Sequence, residues 1–312
     1  MNSPAVLRRP AQEGGPSPNL SRRRERGKQL AMAYVALTKP RIIVLLLITA
    51  LGAMFIAAKG APPLQATLLV MIGGTLAAGG ANALNHYLDR DIDQMMSRTR
   101  KRPLPSQKIE PRNALVFGIA LNVLAFTILA TWVNVLSASL AVSATAFYIF
   151  IYTSWLKRTS TQNIVIGGAA GAFPPLVGWA AVTGDLNLAA LYLFAIIFFW
   201  TPPHFWALAL MLEKDYREAG IPMLPVVRGV RETTQAIMLH SLTLIAITVL
   251  FYTVDGVGYI YLSGAVALGA VFLWKAAKLL RTQSIKDARS LYLYSLLYLA
   301  LLFGFMVADA VA

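Results

Sequence analysis

The chain has 312 residues, 57% apolar and only 13% charged, with a formal net charge of +14 and a mean hydropathy of +0.60. A soluble domain carries about 25% charged residues, so the composition excludes an ordinary water-soluble fold and points to an integral membrane protein. Cys is absent, which excludes disulfides, thiolate metal centres, a Cys nucleophile and covalent haem attachment through C-x-x-C-H.

Residues 1–30 are rich in Arg, Pro, Ser and Gly with almost no apolar periodicity, which predicts a disordered basic cytoplasmic tail. No apolar stretch is followed there by a small-residue cleavage site, so no signal peptide is expected. Residues 31–312 read as one intramembrane domain. Its nine apolar segments lie at 42–58, 65–87, 114–133, 135–155, 163–182, 186–212, 233–254, 257–275 and 290–311. A spanning helix needs about 17 to 25 residues; all nine qualify, and the sixth is long enough to tilt. None alternates like a transmembrane strand. The expected fold is an all-α, polytopic bundle of nine spans around a central cavity.

Three longer polar loops interrupt it, at 88–113, 213–232 and 276–289. Of the 28 Lys and Arg residues, 27 fall on one side of this arrangement and only Lys59 on the other. The positive side faces the cytoplasm, so the N-terminus is expected inside and the C-terminus outside. Topology thus accounts for the net charge. The expected surroundings are a lipid bilayer, with no nucleic-acid partner.

The acids are more telling. At the end of the second segment the chain reads Asn85-His-Tyr-Leu-Asp89-Arg-Asp91-Ile-Asp93. On a helix, Asn85, Asp89 and Asp93 form one slowly drifting stripe with steps of about 6 Å, and Asp91 points away. Two carboxylates and an amide oxygen suit Mg²⁺, which completes its octahedron with phosphate and water. The following loop carries Arg98, Arg100, Lys101 and Arg102, whose guanidinium and ammonium groups suit phosphate oxygens. The same cluster also serves as an ordinary positive-inside loop. For the acid stripe, position at the membrane edge favours function over a plain helix end.

A second polar stretch, Glu213-Lys-Asp215-Tyr-Arg-Glu218, follows a segment containing Pro202-Pro203-His204. Paired prolines kink a span, which is tolerated where backbone lines a cavity. Gly167-Gly168 and Pro174-Pro175 repeat the device one segment earlier, although such glycines equally serve close helix packing. His86 and His204 could each ligate haem iron, contact a haem propionate or act as a base, and an ordinary structural role suits each equally well. His240 reads as a hydrogen-bonded core residue.

The stripe N-x-x-x-D-x-x-x-D resembles the signature of the UbiA-type intramembrane polyprenyltransferase superfamily. Within it, Leu37-Thr-Lys-Pro-Arg41, Asp89 to Pro103, Tyr152-Thr153 through Lys157-Arg158, Asn163 to Gly168, Pro203-His204-Phe205 and Asp215 to Pro225 resemble the haem-farnesylating branch. The resemblance covers about residues 35–310. It implies transfer of farnesyl from farnesyl diphosphate to the 2-vinyl group of haem B, with water, giving haem O and diphosphate. It further implies Mg²⁺, a bacterial inner membrane (a mitochondrial one being the other location considered), and haem A synthase or terminal-oxidase assembly factors as candidate partners. By matching position Asn85, Asp89 and Asp93 would hold the metal. The basic residues Arg98, Arg100, Lys101, Arg102, Lys157 and Arg158, with Tyr152 and Asp215, would meet substrate. Tyr148, Phe150, Tyr152 and Trp155 supply aromatic faces for a carbocation. One departure stands out: a second D-x-x-x-D is missing, because Met211 and Ala219 flank Asp215 at four residues. Glu213, Asp215 and Glu218 are the substitutes. The other readings are a polyprenyltransferase with a quinone or different tetrapyrrole acceptor, and a cation-coupled transporter.

Overall fold

The computed structural model describes residues 18–254 and 256–312, with side chains described from Arg24 onward. In chain order the helices are α1 (Pro18–Thr38), α2 (Pro40–Ala58), α3 (Leu64–Leu88), α4 (Arg90–Met95), α5 (Pro111–Trp132) and α6 (Val135–Ala146). A π-helix (Phe147–Leu156) then leads into α7 (Lys157–Thr159), α8 (Asn163–Gly167), α9 (Ala169–Thr183) and α10 (Leu188–Met211). The chain ends with α11 (Glu213–Glu218), α12 (Leu224–Leu250), α13 (Tyr259–Thr282) and α14 (Ile285–Val311). Among the described residues nine helices are long and apolar enough to cross a membrane, and no strand occurs.

The expected disorder through residue 30 does not hold from Pro18 onward, where α1 begins; residues 1–17 lie outside the described residues. The physical reason is local and tertiary. Arg, Glu, Lys, Gln, Leu and Ala are good helix formers, and the far half of α1 buries Ala33 and Leu37. Helices also outrun the apolar segments. The ninth span begins at Ile285, not 290, and the seventh, expected from 233, is preceded by a short helical stretch from Leu224 that a kink at Gly229 (φ 77°) joins to it. Hydropathy registers the bilayer core, whereas a helix continues into the interface until a cap stops it. At α14 that cap is Ser284, whose Oγ accepts from the Asp287 N–H at 3.1 Å.

Small residues let the helices close. A Cβ on Gly80 of α3 would lie 2.7 Å from the Gly118 carbonyl of α5, and one on Gly178 of α9 2.2 Å from the Ala50 carbonyl of α2. Only glycine permits such backbone approach. Leu193, Ile196, Phe251, Phe272, Tyr298 and Phe303 build one fully buried core among α10, α13, α14 and the end of α12. Phe150 and Trp274, 68% and 60% exposed, face outward, as lipid-facing side chains do.

Between α2, α3, α6, the π-helix, α8, α9 and α10 lies an apolar cavity of about 320 Å³. Its wall is largely Ala and Gly on α3 and α6, and this thinness makes the space. Asp89, just after α3, and the carboxylates of α4 stand at one end of this bundle. Four loops meet there: Lys39 reaches Asn85, Lys157 reaches Asp89, and Ser97 reaches Asp215. At the other end Asp309 accepts from the backbone N–H groups of Gly258 and Tyr261, capping α13 from α14.

Candidate active site

The acid stripe forms as its spacing predicts. Helix α3 ends at Leu88 and α4 begins at Arg90, yet the N–H of Asp89 bonds the Asn85 carbonyl at 2.9 Å and that of Asp93 the Asp89 carbonyl at 2.8 Å. The helical path therefore continues through the break. Asn85, Asp89 and Asp93 are all buried, whereas the Asp91 side chain is 59% exposed.

Each buried acid has its own cation. Lys157 Nζ lies 2.5 Å from Asp89 Oδ2, and Arg102 Nη1 donates to both Asp93 oxygens at 2.8 Å. A buried carboxylate needs such a partner, since leaving one unpaired costs several kcal/mol. Asn85 joins the layer together. Its Nδ2 donates to Asp89 Oδ2 at 2.8 Å and to Thr153 Oγ1 at 3.1 Å, while its Oδ1 accepts from Lys39 Nζ at 2.8 Å. Asp89 Oδ1 accepts no hydrogen bond, with Arg158 Nη2 4.0 Å away. Burial, with Arg102 and Lys157 nearby, pulls the Lys39 ammonium down to about 7. Two carboxylates and an amide oxygen on one stripe, with one carboxylate oxygen uncommitted, are a donor set that fits a small hard cation with open positions. The three Lys and Arg groups fit the oxygens of a diphosphate.

The remaining sequence candidates separate. Arg98, Arg100 and Lys101 are exposed and form no ion pair among the described residues, so of that cluster only Arg102 reaches the stripe. Arg158 turns to Asp91 at 2.7 and 2.9 Å. Its guanidinium holds the Asp91 carboxyl down to about 2. Asp215 accepts from Ser97 Oγ at 3.0 Å. Glu213 pairs with Arg217 and Glu218 with Lys214 on their own helix. Among the described residues no three His, Asp or Glu side chains converge on a common metal position, at these acids or at the stripe.

The histidines part ways too. His86 is buried beside the stripe, with Nδ1 3.8 Å from Asp93 Oδ2 and neither ring nitrogen hydrogen-bonded. His204, the other haem candidate, does not line the cavity. It lies between Trp200 and Tyr292, ring centroids 4.2 and 4.9 Å away, and Nδ1 meets Ser295 Oγ at 2.7 Å. The reason is helical phase: Thr201 and Phe205 present the cavity face of α10, and His204 shares with Trp200 a face about 100° round the helix from it. His240 bonds the Ala236 carbonyl at 3.0 Å, as a core histidine should.

Tyr148 and Tyr152 line the cavity and stack at 5.6 Å with planes 14° apart. They belong to the π-helix, a rare, wide-turned form that recurs at functional sites. The same turn delivers Thr153 to Asn85. Lys39 is the contributor that residue-type reasoning passes over. Its φ of 52° is uncommon for a non-Gly residue and is shared by Lys59, Gln107 and Gln283 at other turns. The available signal was its place immediately before Pro40, where continuation of the helix is disfavoured.

Residues 46–302 match the UbiA prenyltransferase family. The chain belongs to that family. Among relatives called protoheme IX farnesyltransferase, that of Gloeobacter violaceus is 54% identical over 279 residues, covering 89% of this chain and 92% of its own. That of Symbiobacterium thermophilum is 52% identical over 291 residues, covering 93% and 97%. That of Roseiflexus sp. strain RS-1 is 51% identical over 309 residues, but this chain spans only 58% of its length. Solved UbiA-fold structures superpose despite low identity. A digeranylgeranylglyceryl phosphate synthase structure gives a TM-score of 0.76 at 18% identity, covering 90% of this chain and 99% of its own. An Archaeoglobus fulgidus UbiA homologue bound to DMAPP and Mg²⁺ gives 0.67 at 17%, covering 88% and 98%. These two likenesses are of fold.

Proposed function

We propose that this membrane protein transfers a farnesyl group from farnesyl diphosphate to the 2-vinyl group of haem B, giving haem O and diphosphate. The observation that carries the reading is the buried Asn85–Asp89–Asp93 stripe, faced by Lys39, Arg102 and Lys157, beside an apolar cavity. Relatives sharing half of its residues carry the name of that activity.

Asn85, Asp89 and Asp93 would hold Mg²⁺, as the family's fold neighbours do bind it with a prenyl diphosphate. When bound, the ion neutralises charge on the diphosphate and so makes it a better leaving group. This chain's own residues do the rest. Lys39, Arg102 and Lys157 orient the diphosphate and stabilise the negative charge that develops as the allylic C–O bond breaks. The stacked Tyr148 and Tyr152 present π faces to the farnesyl cation. The vinyl group attacks farnesyl C1, water adds to the porphyrin-side cation, and one proton leaves. The apolar wall keeps water from capturing the allylic cation first. His86, buried beside the stripe with neither ring nitrogen hydrogen-bonded, would be the nearer haem candidate, although neither it nor His204 lines the cavity.

The basic end of the bundle is the cytoplasmic one in this reading, in a bacterial inner membrane, with haem A synthase or oxidase assembly downstream. The carboxylates stand at the end of α3, not at a midplane break, which disfavours a cation-coupled carrier. Incubating purified protein with haem B, farnesyl diphosphate and Mg²⁺ should yield haem O by mass. Loss of farnesyl diphosphate without that product would point instead to a different acceptor.

A further inference from the structure

Resting on that reading, we infer that Val70 and Val177, with Ala50 and Ala141, form the floor of the cavity and set the length of isoprenoid accepted. These four are the cavity-lining residues farthest from the carboxylates on α3, α9, α2 and α6, and they belong to one buried apolar cluster, which Ala77 joins higher on the wall. Three sit at one depth: Val70, Ala141 and Val177 each lie six residues in from Leu64, Val135 and Thr183, the helix ends remote from the carboxylates. Behind them Met54 and Leu129 are fully buried, so the shaft is closed there.

The length follows from helical rise. The wall contributed by α3 runs from Asn82, one turn from the stripe, to Val70. Those twelve residues cover about 18 Å at 1.5 Å each. An extended isoprene unit advances about 5 Å. Three units fit above the floor, and a fourth reaches it. The wall above is open: a Cβ on Gly171 would meet no atom within 4 Å. Gly171 lies six residues nearer the carboxylates than Val177, about 9 Å of rise, so a large side chain there shortens the shaft.

The test compares kcat/KM ratios among geranyl, farnesyl and geranylgeranyl diphosphates with haem B, so a general loss of activity cancels. In Val70→Ala/Val177→Ala the geranylgeranyl-to-farnesyl ratio should rise about tenfold, the usual size of a methylene-scale change in an apolar pocket. In Gly171→Leu the geranyl-to-farnesyl ratio should rise by a similar factor. A geranylgeranyl-to-farnesyl ratio within about twofold of wild type in the double variant overturns the assignment. Should that protein not fold, an unchanged geranyl-to-farnesyl ratio in Gly171→Leu overturns it. Wild-type protein that farnesylates no haem defeats the proposed reaction instead. The floor is then read by competition binding of the non-reacting thiolodiphosphates of the same three lengths, which needs no acceptor.

Discussion

Two short acidic helices sit at the same end of this bundle and behave differently. In α4 and the residue before it, Asp89 and Asp93 are buried, and each meets a cation from a distant part of the fold or loop. In α11, Glu213 and Glu218 stay near the surface and pair with Arg217 and Lys214 one turn away on the same helix. The difference teaches that charge count does not mark a site. A surface i,i+4 pair follows from helix geometry and is worth little, whereas a buried carboxylate persists only where the whole fold supplies its counter-charge.

The sharpest way to break that contrast is Asp89→Asn or Asp93→Asn. Each should lower turnover by about 10²–10³-fold, the cost of removing one element of preorganised charge stabilisation. A variant retaining more than about a tenth of wild-type turnover would count against the stripe. Next come Lys157→Met and Arg102→Met, expected to raise the KM for farnesyl diphosphate about tenfold or more, the scale of one charge-assisted hydrogen bond. Both should also lower the unfolding temperature, because a buried carboxylate is left alone. Asp89→Asn/Lys157→Met should recover that stability but not the turnover, separating the structural part of the pair from the chemical part.

Asp91 gives a smaller effect and a pH signature. Its pKa is depressed from 3.8 to about 2 by Arg158, so the pair contributes stability that is present above pH 3.8 and lost as pH falls through about 2. Asp91→Asn should flatten that part of an acid unfolding curve and change turnover by less than about threefold, since an exposed pair contributes little. Smallest of all, Glu213→Gln should leave turnover within about twofold. A loss there comparable to that of Asp89→Asn would show that the two acidic helices share one function.

Much of this was legible in the chain. The nine spans, the drift of Asn85, Asp89 and Asp93 along one face, and the outward direction of Asp91 all follow from the 3.6-residue period and the thickness of a bilayer. The basic run at 98–102 was legible only as a group. Which member turns inward depends on the path of the turn after α4, where Thr99 Oγ1 donates to the Asp93 carbonyl at 2.9 Å and Arg102 follows it towards the carboxylate. The direction of His204 was not legible, because two prolines announce a kink without fixing its direction. Composition predicted disorder for 18–30, where α1 is helical and then anchored by Ala33 and Leu37.

What the sequence determined by itself was therefore whatever depends on neighbours within a turn or on run length: span count, helix face, the charge asymmetry of the loops. Only the tertiary structure decided which cations face which acids. Lys39 meets Asn85 across 46 residues and Lys157 meets Asp89 across 68. Those separations carry no local signal, because they are set by how α2, α3 and the π-helix pack, through glycine contacts and a widened turn that no hydropathy pattern encodes. The same packing put His204 against α14 and left the Ala- and Gly-lined shaft open beside the carboxylates.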